Sequence, residues 1–223
     1  MHRSSWSLRA ITAAIALIVA HVSAPAFAEG EINMIQIDQM TAGKPPPGFS
    51  FARTGRGTQG QWTVVADPTA KTGFAIEQSS TDTTDYRFPL AIPTTISGKN
   101  VKAEIRFKAV SGKVDRAAGI AVRMHGPDNY YIARANALED NVRFYRVVAG
   151  KRQQLGTANL RVTSGDWHTL TLEAQGQRFT VVYDGAMLFE VTDTTFTEAG
   201  GVALWTKSDS VTRFDLMTIT PLP

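Results

Sequence analysis

Past an apolar opening segment, apolar and polar residues alternate with period two in short runs, and helical periodicity is almost absent. Successive side chains on a strand point to opposite faces, so such alternation, bounded by Gly, Pro, Asn and Asp, predicts half-buried β-strands. The predicted strands are Gln61–Ala66, Phe74–Gln78, Tyr86–Leu90, Val101–Val110, Gly119–Met124, Tyr130–Asn136 and Val142–Val148. Gln153–Ala158, His168–Ala174, Arg178–Tyr183, Ala186–Val191, Gly201–Lys207 and Arg213–Thr220 complete the series. In Val101–Val110 the pattern places Val101, Ala103, Ile105 and Phe107 inward and Lys102, Glu104, Arg106 and Lys108 outward. Asp184-Gly185 predicts a two-residue hairpin turn of the primed type, which needs positive φ at both centres. Short turns without a fixed-period repeat predict one antiparallel sandwich, not a propeller or a pair of domains.

Chemically, the unusual stretch is Ala117–Val147. Gly119, Ala121 and Arg123 share one face of the first strand there, and after a turn at His125–Asn129, Ile132, Arg134 and Asn136 share one face of the next. Gly201, Ala203, Trp205 and Lys207 repeat the scheme of small residues leading to large polar ones. An ordinary solvated strand favours Thr, Lys or Glu at such positions. Small residues leave room for a ligand, and the arginines around that room supply contacts, so this face is predicted to be a binding groove on the concave sheet of the sandwich. An exposed Trp205 offers a flat platform to a sugar ring, with Lys207 and Asp209 bonding hydroxyls. Asn141, Arg143 and Tyr145 also share one strand face, and arginines beside a tyrosine suit the neutralisation and proton transfer that a lyase of acidic sugars needs. The candidate ligand-binding residues are therefore Arg123, Arg134, Asn136, Arg143, Tyr145, Trp205, Lys207 and Asp209; no catalytic residue is assigned.

The opening segment carries Arg3 and Arg9, an apolar run over Ala10–Val22, and Ala26-Phe27-Ala28 after Pro25. That is the three-part pattern of a secretory signal peptide at residues 1–28, cleaved after Ala28, and it places the mature protein in the periplasm or outside the cell. The run is shorter than the roughly 20 residues a membrane crossing needs, and no later segment is apolar enough to span. Residues 29–48, with KPPPG at Lys44–Gly48, read as a lead-in, and 49–223 as a single sandwich domain. The chain has no cysteine, so neither a lipid-anchoring thiol nor a disulfide is available, and a single large core must suffice. The 23 basic and 20 acidic residues include Arg3 and Arg9 of the leader; without them the balance is 21 to 20. A nucleic-acid binder carries a far larger positive balance.

The closing stretch GVALWTKSDSVTRFDLMTI, Gly60-Gln61-Trp62-Thr63-Val64, Asp115–Arg123 leading into Tyr130-Tyr131, Trp167-His168-Thr169-Leu170 and the Asp184-Gly185 hairpin together resemble the concanavalin A-like (lectin/glucanase, laminin-G-like) jelly-roll sandwiches. Within them the chain is most similar to the bacterial 3-keto-disaccharide hydrolase-type domains. The resemblance implies an all-β antiparallel jelly-roll sandwich of concanavalin A-like type, with carbohydrate as partner, an acidic or oxidised sugar being one form of it. It does not imply one activity, since the superfamily holds hydrolases, lyases and binding domains. A sugar-binding domain, a hydrolase of keto-sugar glycosides or lyase of acidic polysaccharide, and a non-catalytic envelope interaction domain all stay open. The acidic triplet of the sandwich glucanases, spaced along one strand, does not occur: Glu139-Asp140 lies between strands and Glu190 is followed only by Asp193. No metal, nucleophile-elbow or phosphate-loop motif occurs either. No cofactor is expected; Asp82 and Asp85 are candidates for the structural calcium of this superfamily, without a calcium-loop spacing.

Overall fold

Alternation predicts strands, and a strand forms over every run it marks, with ends that differ by at most three residues. The computed structural model describes residues 32–223; the expected leader and its cleavage point lie outside the described residues. The first eight strands are β1 (Asn33–Met34), β2 (Phe49–Gly55), β3 (Trp62–Ala66), β4 (Phe74–Gln78), β5 (Arg87–Pro93), β6 (Ser97–Gly98), β7 (Val101–Ser111) and β8 (Ala117–Met124). Then come β9 (Tyr130–Asn136), β10 (Asn141–Val148), β11 (Lys151–Asn159), β12 (Trp167–Gln175), β13 (Arg178–Tyr183), β14 (Ala186–Thr192), β15 (Gly200–Trp205) and β16 (Val211–Pro221). A long strand that alternation does not mark is β2, an edge strand paired to β5 whose Phe49 and Phe51 pack against the core. Residues of the lead-in also join the sandwich: β1 pairs with β16, and Ile37 is buried in the core.

The strands form two antiparallel sheets. The first runs β14-β13-β12-β7-β16-β4-β3, the second β11-β10-β9-β8-β15-β5-β2. Short β1 joins the first sheet through β16, and short β6 joins the second through β15. From β4 onward the chain changes sheet after β4, β6, β7, β11, β14 and β15, which is the jelly-roll connectivity of a concanavalin A-like sandwich. Val101, Ala103, Ile105 and Phe107 of β7 face the interior and are buried there with Ala118, Ile120 and Val122 of β8 and Tyr131, Ala133 and Phe144. The Asp184-Gly185 turn has φ of 47° and 80°, so both centres lie in the left-handed region that a primed turn requires. Ala149-Gly150, between β10 and β11, turns in the same way at 47° and 75°.

A second apolar layer lies on the outer face of the second sheet. It comprises Phe88, Leu90, Ala117, Ala121, Tyr130, Ile132, Tyr145, Val147, Ala203 and Trp205, all buried. The predicted sharing of a face by Gly119, Ala121, Ile132, Arg134, Ala203 and Trp205 agrees with the register, which pairs Gly119 with Arg134 and Trp205, and Ala121 with Ile132 and Ala203.

One irregularity changes that face. Between β8 and β15 the pairing steps from Ala121–Ala203 to Met124–Gly201, so Val122 and Arg123 together oppose Val202. This is a β-bulge, and it reverses the parity of the residues beyond it. Arg123 adopts a left-handed φ of 48°, and Met124, not Arg123, joins the outer layer. Gly200 makes the bulge sterically feasible, since a Cβ there would lie 2.6 Å from the carbonyl carbon of Arg123.

Candidate functional site

Beyond the apolar layer, the outer face of the second sheet carries a polar cluster at the ends of β8, β9 and β10. Arg134 and Asn136 from β9 lie directly opposite Arg143 and Asn141 from β10. Arg134 donates to Asn141 Oδ1 (2.7 Å) and Glu139 Oε2 (2.8 Å), and its guanidinium reaches the Tyr145 hydroxyl at 3.4 Å. Arg143 approaches the same Glu139 oxygen at 3.3 Å. Asn136 donates to Asp115 Oδ1 at 2.8 Å, and Lys207, just past β15, forms an ion pair with the other Asp115 oxygen. The Glu139 backbone N–H donates to Asn136 Oδ1 at 3.2 Å and joins the two groups, so five of the eight predicted residues, Arg134, Asn136, Arg143, Tyr145 and Lys207, fall in one connected network.

The carboxylates in it differ. Burial raises the Asp115 pKa from its ordinary value, and the contacts with Lys207 and the charge of Arg134 offset that only in part. Burial pushes Glu139 the same way, but the charge and hydrogen bond of Arg134, with Asn141 and Arg143, outweigh it and hold Glu139 low. Arg143 is raised, first by its contact with the Tyr145 hydroxyl. Glu139 and Arg143 are about one-third exposed, whereas Arg134 and Asp115 are almost wholly covered. The solvent side of the cluster is therefore Arg143 and Glu139, with Arg134 and Asp115 beneath.

Beside them stands Arg152 of β11, its guanidinium 4.4 Å from the Phe88 ring, 4.9 Å from Tyr145 and 5.8 Å from Tyr86. Tyr86 fixes the strand that presents it: its hydroxyl donates to Gly150 O (3.0 Å) and accepts from Arg152 N (2.9 Å). Arg152 is not legible in the sequence as a site residue, because an exposed edge strand carries little alternation. Asp115, Glu139 and Asn141 lie at strand ends, where a loop's fold decides which carboxylate meets which arginine.

Three predicted residues do not join. Arg123, turned by the bulge, is fully buried away from this face. It donates to the backbone carbonyls of Lys99 (2.8 Å), Gly176 (2.6 Å) and Phe196 (2.9 Å) and lies 5.1 Å from the Phe179 ring. Trp205 is on the predicted face but offers no platform, since it is fully buried, stacked on Phe88 at 5.2 Å, with its indole N–H donating to the Tyr130 hydroxyl at 3.2 Å. Burial pushes the Tyr130 pKa up to about 12, so that hydroxyl is no base at neutral pH. Asp209 accepts from the backbone N–H groups of Lys113 (2.6 Å), Val114 (3.1 Å) and Asp115 (2.9 Å), an anchoring role that positions Asp115. The small-residue floor has an internal explanation too: a Cβ on Gly119 would meet Ile132 Cδ1 at 2.8 Å, so the room above that glycine is filled by the protein's own side chain.

Among the described residues no group of three or more His, Cys, Asp or Glu is arranged to hold a metal ion, and no helix is long and apolar enough to cross a membrane. Asp82 accepts from the backbone and hydroxyl of both Thr58 and Thr84, and Asp85 accepts from Tyr86 N, so both carboxylates serve their own loops.

Comparison with known proteins agrees with this architecture. The family model described as the galactocerebrosidase C-terminal lectin domain matches residues 106–222. Among solved structures, the carbohydrate-binding module CBM66 from Bacillus subtilis is similar with a TM-score of 0.63 and 19% identity, over 78% of this chain and 95% of that one. The Bacillus licheniformis beta-glucanase is similar with a TM-score of 0.56 and 11% identity, over 88% of this chain and 100% of that one. At such identities the likeness is one of fold. No curated relative matches the chain in sequence.

Proposed function

The chain belongs to the family of the galactocerebrosidase C-terminal lectin domain, and from that premise we propose that it is a carbohydrate-binding domain without turnover. Its glycan site is the outer face of the second sheet, at Arg134, Arg143, Tyr145, Glu139 and Arg152. The observation that carries this reading is the partly exposed polar cluster itself, in which Arg143 and Glu139 present donors and acceptors to solvent from a base locked by Arg134, Asn136 and Asp115. Binding needs such a pre-organised set of donors and acceptors. Glycoside hydrolysis needs in addition a carboxyl pair free to act as acid and nucleophile or base. Both carboxylates here are engaged by cations, Asp115 by Lys207 and Glu139 by Arg134 and Arg143, which favours binding. The leader pattern at residues 1–28 supports the further proposal that the domain works outside the cytoplasm.

A glycan array probed with the purified protein, then a product assay on each glycan retained, tests the reading. The expected result is retention of one class of glycan with no new reducing ends and no unsaturated product. Failure to retain any glycan, or release of product, overturns it. N-terminal sequencing of protein recovered from the cell envelope should begin at Glu29; a retained leader overturns the export proposal.

A further inference from the structure

The same face gathers more cation than it neutralises. Arg134, Arg143, Arg152 and Lys207 converge on it against two carboxylates, Asp115 and Glu139. Lys207 occupies Asp115, while Arg134, Arg143 and Asn141 all share a single oxygen of Glu139, Oε2. Among the described residues Arg152 has no carboxylate partner, and its guanidinium is held by aromatic rings alone.

A second and independent observation concerns donors. The Nε–H groups of Arg134, Arg143 and Arg152 are all buried and bonded to nothing. The Arg134 side chain is only 2% exposed, so solvent is no ready substitute. A buried donor without an acceptor carries its full desolvation cost, and native proteins keep few of them. Arg53 and Arg116 carry the same unpaired Nε–H, but here three such guanidinium groups share one face, two of them within 6.0 Å of the Tyr145 ring. Guanidinium stays charged at any physiological pH, and its planar fork matches the paired oxygens of a carboxylate or sulfate.

We propose that this site takes an oxyanion-bearing glycan, with a carboxylate of a uronic acid or a sulfate ester received by Arg143 and Arg152 beside Tyr145, above the buried charge of Arg134. The proposal rests on the reading of this face as the glycan site and names the substrate class for it. The anion supplies the counter-charge that Arg152 lacks. Glu139 keeps its second oxygen for a hydroxyl of the same sugar, which distinguishes a sugar acid from a bare anion.

Affinity electrophoresis and calorimetry of the full protein with polygalacturonate, dextran sulfate and neutral dextran test it. One of the two polyanions should be retained well over tenfold more strongly than dextran, and which one identifies carboxylate or sulfate as the group. Arg152→Gln and, separately, Arg143→Gln should each weaken that binding about ten- to a hundredfold, the loss expected for one charge-assisted hydrogen bond. Lys102→Gln, on the other sheet, should change it less than twofold. Arg152→Lys keeps the charge but not the fork, and guards against a folding defect in Arg152→Gln. Equal losses from Lys102→Gln and Arg152→Gln would mean unspecific attraction and overturn the proposal. Retention of a neutral glycan that needs Arg143 but ignores Arg152→Gln would overturn it while leaving the glycan site standing. Binding to none of the glycans of the array, neutral or acidic, would remove that site and the proposal with it.

Discussion

Truncating Arg123 to alanine should unfold the protein more readily and leave glycan binding intact in whatever stays folded. The side chain is fully buried, and its guanidinium ties three separate connections, at Lys99, Gly176 and Phe196, to the end of β8. Hydrogen bonds from a charged donor each contribute about 1.5–3 kcal/mol, but the three share one group and do not add fully. Truncation also strands three carbonyls and removes the cation over the Phe179 ring, while water entering from the loops recovers part of the loss. The net destabilisation is about 3–5 kcal/mol, at the upper end for single substitutions. For a domain of this size each kcal/mol lowers Tm by about 2–4 °C, so a fall on the order of 10 °C is expected by calorimetry. Alanine keeps a Cβ at the left-handed φ, so the backbone conformation adds little to the difference. Arg143→Ala is the control: one-third exposed, it should shift Tm by no more than about 2 °C. If Arg123→Ala melts like Arg143→Ala and at the same time abolishes glycan binding, the bulge does not turn the side chain inward and the reasoning fails.

Two further outcomes are expected from the same interior. Trp205→Ala should cost about 3–5 kcal/mol in urea unfolding, the usual cost of emptying a large buried site, because Phe88 and Tyr130 enclose the ring; unchanged stability with lost sugar binding would make Trp205 an exposed platform after all. Acid should destabilise the fold. Burial pushes Asp67 up, but its bonds from Lys108, Thr69 and Arg213 outweigh that and hold it well below the carboxylate range, and the Thr84 and Thr58 bonds do the same for Asp82. A lowered folded-state pKa gives stability that is complete above the unfolded value of about 4 and is lost as pH falls below it. Asp115 and Asp215, raised by burial, act in the opposite sense. Melting curves between pH 7 and about pH 2.5 should show a falling Tm, with a shallower fall for Asp67→Asn; equal slopes would contradict the assignment.

Local alternation is enough to determine most of the strands (β2 excepted), the interior of β7 and the face shared by Gly119, Ala121, Arg134, Ala203 and Trp205, because side-chain direction in a strand depends only on counting by two. It also locates most of the polar cluster, since Asn141, Arg143 and Tyr145 keep their parity along β10. Counting fails where the backbone inserts a residue. The bulge at Val122-Arg123 arises from pairing with β15, some eighty positions away, and no feature within β8 announces it. Exposure is equally non-local: Trp205 is covered by Phe88 from β5, and Gly119 by Ile132 from β9. The partners of the arginines depend on loops, as Asp209 sets Asp115 in place and Tyr86 clasps the turn that presents Arg152. The order of residues in a strand dictates which way each side chain leaves it, whereas what that side chain meets is decided by strands distant in the chain, through packing that only the assembled sheets bring about.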